Sequence, residues 1–370
     1  MNYRFSIFLA WGSVPFLLLL QGCTPSVTPG FYGGHSVSSK ALWDFPGEKT
    51  LPDGVLYYPS TDGSTIDPAA APCPVIVFIP GYLEPPLSYR SYGEQAASWG
   101  YVVLIARFFW LFDDQAEEDT LRLIQWLRRQ NDQGGVLAGM LDTERLGVAG
   151  HSIGGKYALA AALNEPSVGA VVAIDPVDGC AEILPPTRLF RSFTPELMPQ
   201  VKVPTCILGA EFSGLLNPRS ENYHEFFRYA SCPAEEVLVY KADHASFVDD
   251  YASLFQDIHD LIFGGQPTND NRAKSVSARY MISWFNVFLR GQDEFWTYLT
   301  GEQANQDVAS GLVSITTNFG ARPNEIIILS GYRAWPGRLR ATLRARGWCR
   351  VCRRCACPGI SPARLWRAPL

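Results

Sequence analysis

The segment GHSIG at residues 150–154 constrains the fold of this chain more than any other feature of its sequence. It lies between an apolar strand candidate at residues 145–149 and a helix candidate at residues 156–163. The Gly-x-Ser-x-Gly pattern is typical of a nucleophile elbow, a tight turn that strains the serine backbone and presents its hydroxyl above a sheet. The flanking glycines let the strand and the helix approach each other, and the helix start offers N–H groups to an oxyanion. We therefore predict that Ser152 is a catalytic nucleophile rather than part of an ordinary glycine-rich turn.

Short apolar segments alternate with helix-like segments along most of the chain. Residues 75–79, 101–106, 168–174 and 205–210 are short and apolar, whereas residues 119–130 carry apolar side chains at helical spacing. This alternation predicts the α/β fold class, with a mostly parallel sheet covered by helices on both faces. Ligands of such folds bind beyond the carboxyl ends of the strands. The candidate functional residues all follow predicted strands: Gly81, Tyr82, Ser152, Asp175, Glu211 and His244.

A serine nucleophile needs a base that accepts its proton and an acid that orients this base. In folds with this elbow, the acid and then the base follow the serine along the chain. We predict His244 as the base because it follows the strand candidate 237–240 after a short loop, whereas His224 lies in a helical or turn segment. The choice of acid stays open at this point, because Asp175 and Glu211 each end a strand beyond the elbow.

Six motifs resemble those of the chlorophyllase family of α/β hydrolases, and they occur in the same order. They are residues 78–82 (FIPGY), 97–103 (ASWGYVV), 150–156 (GHSIGGK), 175–179 (DPVDG), 222–227 (NYHEFF) and 243–250 (DHASFVDD). The similarity covers about residues 50–255, and DPVDG is its most specific part. Bacterial dienelactone and polyester hydrolases and lipases of the platelet-activating-factor acetylhydrolase type are related to this family. The resemblance implies an α/β-hydrolase fold in which Ser152, Asp175 and His244 form the triad, with Asp175 preferred to Glu211.

The resemblance also implies where the oxyanion of the reaction is bound. The donors would be the backbone N–H groups of Ile153 and Tyr82. The chain departs from the family at Pro80, where histidine is usual, and at Ile153, where chlorophyllases tend to carry arginine. Because the expected donor is the N–H of Tyr82, a proline at position 80 is compatible with an oxyanion hole.

These features predict a serine carboxylic-ester hydrolase that forms an acyl-enzyme on Ser152. Its expected substrate is a small apolar ester or a lipid, and we expect no cofactor. The aromatic run at residues 108–112 either lines an apolar pocket or belongs to the core. The alternative is a non-catalytic, membrane-tethered binding lipoprotein of the same fold, which the intact triad disfavours. The net charge of −5 argues against nucleic acid as a partner.

The beginning of the chain has the pattern of an export signal. Arg4 precedes an apolar run over residues 5–20, and the sequence LQGC at residues 20–23 follows it. This pattern resembles a bacterial lipobox, which predicts a signal peptide over residues 1–22 and lipidation of Cys23. Residues 23–45 are then a tether. We accordingly expect a lipid-anchored protein of the bacterial cell envelope at a membrane surface.

Export permits disulfide bonds, and the sequence leaves their pairing open. Cys180 and Cys232 can pair with each other or with Cys73. Cys206 lies in an apolar strand candidate, so we predict that it is a buried free thiol.

The end of the chain differs in composition from the rest. We predict a hydrolase domain over residues 46–300, closed by an amphipathic helix near residues 275–290, and an extension over residues 301–370. Residues 331–370 contain ten arginines and no acidic residue, which indicates a disordered basic segment or a non-native reading frame. We predict no metal site in its cysteine cluster, which consists of Cys349, Cys352, Cys355 and Cys357.

Overall fold

The computed structural model describes nine segments of the chain: residues 31–45, 52–82, 84–106, 113–132, 137–179, 191–214, 216–249, 268–319 and 328–329. The β-strands of these segments are β1 (Val37–Ala41), β2 (Gly54–Pro59), β3 (Cys73–Ile79), β4 (Val102–Ala106), β5 (Leu141–His151), β6 (Val168–Ile174), β7 (Thr205–Ala210), β8 (Ala234–Val239), β9 (Val313–Asn318) and β10 (Ile328–Leu329). Their α-helices are α1 (Arg90–Ser98), α2 (Asp113–Asp132), α3 (Ile153–Asn164), α4 (Tyr223–Tyr229), α5 (Asp270–Phe288), α6 (Trp296–Leu299) and α7 (Glu302–Ala309). Within these segments, no helix has both the length and the apolar character that crossing a membrane requires.

The strands form one sheet in the order β1-β2-β4-β3-β5-β6-β7-β8-β9-β10. The six central strands from β4 to β8 run parallel, and antiparallel pairs extend the sheet at both edges. Every residue of β3 and of β4 is buried, as a parallel sheet covered on both faces requires. This architecture confirms the prediction of an α/β-hydrolase fold.

Side chains of the central strands alternate between two hydrophobic cores. Ile76 and Phe78 of β3 belong to the core that includes residues of α1 and α5. Val75 and Val77 belong to the core on the other face, which includes residues of α2, α3 and α4. Because β5 lies between β3 and β6, the carboxyl end of β5, where the nucleophile elbow begins, is held by buried neighbours on both sides.

The sheet extends beyond both predicted boundaries of the hydrolase domain, residues 46 and 300. At one edge β1 pairs with β2, although residues 23–45 were predicted to be a tether. At the other edge β9 pairs with β8, so part of the predicted extension over residues 301–370 belongs to the fold. The helix predicted near residues 275–290 is α5, but it does not close the fold. The strands β1 and β9 escaped prediction because β1 is only partly buried and β9 alternates between buried and partly exposed residues, so neither forms a continuous apolar run.

Some of the predictions concern residues outside the described segments: the signal peptide, Cys23, the aromatic run at residues 108–112, Cys180 and residues 331–370. Two of the cysteine predictions can be compared with the structure. Cys206 is a buried free thiol in β7, as predicted. Cys73 is also a buried free thiol, and its Sγ lies 3.4 Å from the carbonyl oxygen of Ala70. The structure therefore does not pair Cys73 with another cysteine.

One ionisable side chain, Glu235 of β8, lies inside the core. Its neighbours in strand register are Cys206 on β7 and Thr317 on β9, and the residue is fully buried. Within the described part of the chain, neither carboxyl oxygen has a hydrogen-bond partner. Burial raises the pKa of Glu235 well above its usual range, because a charge without a partner is costly in an apolar environment.

We expect this burial to make the free energy of unfolding dependent on pH. A carboxyl whose pKa is raised by folding binds more protons in the folded state, so its contribution to stability is complete at low pH and is lost as the pH rises through the folded-state pKa. We expect the free energy of unfolding of Glu235→Gln to exceed that of the wild type increasingly above the ordinary carboxyl pKa of 4.5. The difference should grow by up to about 1.4 kcal/mol per pH unit.

Urea unfolding of both proteins between pH 4 and pH 9 measures this difference. Glu196→Gln is the matched control. Because Glu196 is exposed, this substitution should leave the pH dependence of the free energy of unfolding unchanged. A difference between wild type and Glu235→Gln that does not vary with pH would show that Glu235 is solvated in the folded protein.

Candidate active site

Ser152 occupies the turn between β5 and α3. Its backbone has φ 59° and ψ −131°, a left-handed conformation that a non-glycine residue adopts only when its surroundings enforce it. A Cβ atom on Gly150 would lie 2.2 Å from the carbonyl oxygen of Gly154. A Cβ atom on Gly154 would lie 2.2 Å from the carbonyl oxygen of Ile79. The turn is therefore possible only with glycine at both positions, which explains the pattern seen in the sequence.

The three residues predicted as a triad lie together at the carboxyl edge of the sheet. The Nε2 atom of His244 lies 2.8 Å from Oγ of Ser152, and its Nδ1 atom lies 2.6 Å from Oδ2 of Asp175. Asp175 is fully buried and His244 is 5% exposed. With Nδ1–H donating to the carboxylate, Nε2 of the neutral imidazole can accept the serine proton.

Asp175 is fixed by donors other than His244. Its backbone has φ 40°, and its Oδ1 atom accepts the N–H of Ala210 at 3.0 Å. Its Oδ2 atom also accepts a hydrogen bond of 2.9 Å from Nδ2 of Asn217, which is fully buried. Asn217 was not found from the sequence, because a single asparagine in a loop carries no periodic signal. These two donors thus hold the carboxylate in one orientation toward His244.

The loop that carries His244 has its own cap. Residues His244–Phe247 form a 3₁₀ turn, and Oδ1 of Asp243 accepts the N–H groups of Ala245 at 3.1 Å and Ser246 at 3.0 Å. Asp243, which directly precedes the proposed base in the sequence, therefore caps this turn. The cap fixes the start of the turn and with it the backbone position of His244.

The other candidates from the sequence are engaged elsewhere. Oε2 of Glu211, the alternative acid, accepts the backbone N–H of Lys241 at 2.7 Å. Nδ1 of His224 lies 3.0 Å from Oε2 of Glu236, and this hydrogen bond raises the pKa of His224. Its side chain is 64% exposed. The structure places Asp175, and not Glu211, against the imidazole of His244.

The second aspartate of the DPVDG segment has a structural role. Oδ2 of Asp178 accepts the backbone N–H of Thr194 and the hydroxyl of Ser192, both at 2.9 Å. Lys156 of α3 is buried, and its Nζ donates to the backbone carbonyl of Asp178 at 2.8 Å. Asp178 thereby attaches the segment that begins at residue 191 to the helix behind the nucleophile.

The predicted oxyanion loop lies directly against the nucleophile. A Cβ atom on Gly81 would lie 3.4 Å from Cβ of Ser152 and 3.1 Å from the hydroxyl oxygen of Tyr89, so a side chain at this position would crowd the site. Ile153 opens α3, and the first N–H groups of a helix have no partner within the helix. Of the two predicted donors, Ile153 directly follows Ser152 in the chain, and Tyr82 directly follows Gly81 on the loop that lies against Ser152. Among the described residues, no group of His, Cys, Asp and Glu side chains could hold a metal ion.

The fold and this constellation define an α/β hydrolase with a serine, a histidine and an aspartate at the carboxyl edge of its sheet. The profile of the chlorophyllase family matches residues 65–309, which is more than half of the chain. The chain belongs to the chlorophyllase family, as the motifs predicted.

Several characterised proteins are similar to this chain. A bis(hydroxyethyl) terephthalate hydrolase of Streptomyces coelicolor is 27% identical over 71% of this chain and 69% of its own length. A cutinase of Thermobifida alba is 27% identical over 75% of this chain and 77% of its own length. Chlorophyllase-2 of Arabidopsis thaliana is 23% identical over 60% of this chain and 74% of its own length. With the family, these relatives identify the chain as a carboxylic ester hydrolase.

Proposed function

We propose that this carboxylic ester hydrolase is a serine enzyme that cleaves its substrate through an acyl-enzyme on Ser152. The observation that carries the proposal is the continuous hydrogen-bonded series from Ser152 Oγ to His244 Nε2 at 2.8 Å and from His244 Nδ1 to Asp175 Oδ2 at 2.6 Å. The strained backbone of Ser152 supports it independently, because such strain persists at functional sites.

The proposed reaction proceeds in two halves. In the first half, His244 Nε2 takes the proton of Ser152 Oγ while the oxygen attacks the ester carbonyl carbon, and the N–H groups of Ile153 and Tyr82 stabilise the oxyanion. Collapse of this intermediate breaks the bond to the alcohol, which leaves with the proton held by His244. In the second half, water attacks the acyl-enzyme, with His244 taking its proton and returning it to Ser152 Oγ as the carboxylic acid leaves. Asp175 stabilises the imidazolium that forms in each half.

The proposed substrate is an ester with apolar groups. Tyr82 is 41% exposed next to Gly81, so an aromatic side chain is available on the loop beside the nucleophile. Two of the similar proteins are named for bis(hydroxyethyl) terephthalate and for chlorophyll. Initial rates on p-nitrophenyl acetate, butyrate and octanoate, bis(hydroxyethyl) terephthalate and chlorophyll test the proposal. Activity confined to short, polar esters would contradict the apolar substrate class, and absence of activity on all of them would favour a binding protein.

The sequence LQGC at residues 20–23 supports a lipid anchor in a bacterial envelope. We expect Cys23→Ser to abolish incorporation of labelled palmitate, and to leave the protein either soluble or as an uncleaved precursor. Acyl labelling and fractionation of cells that express each variant measure this, with Ser26→Ala as the matched control. If the wild-type chain incorporates no acyl label, the anchor is absent.

A further inference from the structure

A second histidine lies beside the proposed base. His151, directly before Ser152, is 2% exposed, and its ring centroid lies 4.7 Å from that of His244. Burial lowers the pKa of His151 well below its usual range, and the neighbouring His244 adds to this effect. Burial therefore favours the neutral form of the His151 ring.

The partners of His151 determine which of its ring nitrogens carries the proton. Its Nε2 atom lies 2.9 Å from the backbone carbonyl oxygen of His244, which can only accept, so Nε2 carries the hydrogen. Its Nδ1 atom must then accept, and the hydroxyl of Tyr89 donates to it at 2.7 Å. The oxygen of Tyr89 in turn accepts the N–H of Gly81 at 3.0 Å. Every hydrogen bond of this series has one possible direction.

This series joins the two sides of the proposed active site. Gly81 lies on the predicted oxyanion loop, and the carbonyl at the other end belongs to the proposed base. The segment around Tyr89 also holds the base loop at a second point, because the hydroxyl of Tyr92 donates to the carbonyl of Phe247 at 3.0 Å. A movement of the base loop relative to the oxyanion loop would therefore break buried hydrogen bonds that water cannot replace.

We propose that Tyr89 and His151 are positioning residues that couple the oxyanion loop at Gly81 to the backbone of the base, His244. This inference rests on the proposed serine mechanism. His151 fixes the carbonyl of His244 and thereby the direction from which the imidazole approaches Ser152. Its neutrality also keeps a second positive charge away from the imidazolium that forms during the reaction. Neither residue touches the reacting atoms.

The test compares variants that remove single members of the series. Tyr89→Phe keeps the aromatic ring, which packs 5.0 Å from that of Phe78, and removes the hydroxyl. Tyr101→Phe is the matched control, because Tyr101 is equally buried and its hydroxyl donates to Asn286 at 2.8 Å on another part of the fold. We expect Tyr89→Phe to lower kcat about 10- to 100-fold with KM within about twofold of the wild type, since small displacements of catalytic groups have effects of this size. Tyr101→Phe should lose a similar amount of thermal stability and keep its kcat.

Two substitutions of His151 separate the hydrogen bond from the packing. His151→Gln retains an amide donor for the His244 carbonyl, whereas His151→Leu has none. The kcat of His151→Gln should therefore be at least several times that of His151→Leu. Equal kcat values for Tyr89→Phe and Tyr101→Phe, or for His151→Gln and His151→Leu, would overturn the inference. Ser152→Ala is assayed in parallel: if it keeps its activity, the serine mechanism fails. If it is inactive while the Tyr89 and His151 variants behave as their controls, only the coupling fails.

Discussion

Replacing Ser152 with alanine is expected to lower kcat by about four to six orders of magnitude, the loss seen when the nucleophile of a serine enzyme is removed. The physical reason is that the Oγ atom of Ser152, held at the strained turn 2.8 Å from the Nε2 atom of His244, is the oxygen that attacks the ester in the proposed reaction. Fold and stability should change little, because the side chain that is lost is a single hydroxyl at the edge of the sheet. The measurement is kcat and KM on the best ester of the substrate series, with circular dichroism as a check of folding.

Ser310→Ala is the matched control for this variant. Ser310 is exposed at the end of α7, where its hydroxyl donates to the carbonyl of Asp307. We expect it to keep wild-type activity. If Ser152→Ala kept more than about a tenth of the wild-type kcat, Ser152 would not be the nucleophile, because removal of a triad member never has so small an effect in enzymes of this type.

Asp175→Asn is expected to lower kcat by about 10⁴-fold, whereas Glu211→Gln should leave it within about threefold. The amide of asparagine cannot satisfy the partners of this site. If its NH₂ group faces His244, the imidazole carries its proton on Nε2 and cannot accept the proton of Ser152. If the NH₂ group instead faces the N–H of Ala210, which Asp175 Oδ1 accepts at 3.0 Å, two donors meet in a buried site.

Kinetics of the two variants at the pH optimum of the wild type distinguish the candidate acids. Glu211→Gln serves as the matched control, because it exchanges the same functional groups at the alternative position. Its carboxylate accepts the N–H of Lys241, a hydrogen bond that the oxygen of glutamine can keep. A larger loss for Glu211→Gln than for Asp175→Asn would assign the acid to the strand β7 and would refute the role inferred for Asp175.

The sequence was sufficient for those parts of the site that local geometry determines. The elbow at Ser152 was predictable because only glycine fits at positions 150 and 154, and this requirement leaves a pattern in the sequence. His244 was predictable from its place after a buried strand. Position alone could not decide between Asp175 and Glu211, since each directly follows the carboxyl end of a parallel strand. The family motif DPVDG favoured Asp175, and Oδ2 of Asp175 lies 2.6 Å from Nδ1 of His244 in the structure.

Contacts between distant segments were beyond the reach of sequence patterns. Asn217 meets Asp175 across 42 positions, and Tyr89 meets His151 across 62 positions. None of these contacts follows from periodicity, because each depends on how loops from different strands converge. The strand β9 was missed for another reason: it pairs antiparallel with its neighbours, and its residues alternate between buried and more exposed positions, so its sequence lacks the continuous apolar run of the central strands.

The assignment of Ser152 as the nucleophile can be tested by reacting the purified wild-type protein with a fluorophosphonate and analysing it by intact-mass and peptide mass spectrometry. We expect one covalent adduct per chain, located on the peptide that contains Ser152. Ester hydrolysis should be lost in proportion to labelling, and Ser152→Ala should carry no adduct. An adduct on another residue, or complete hydrolytic activity in a fully labelled protein, would contradict the assignment of Ser152 as the nucleophile.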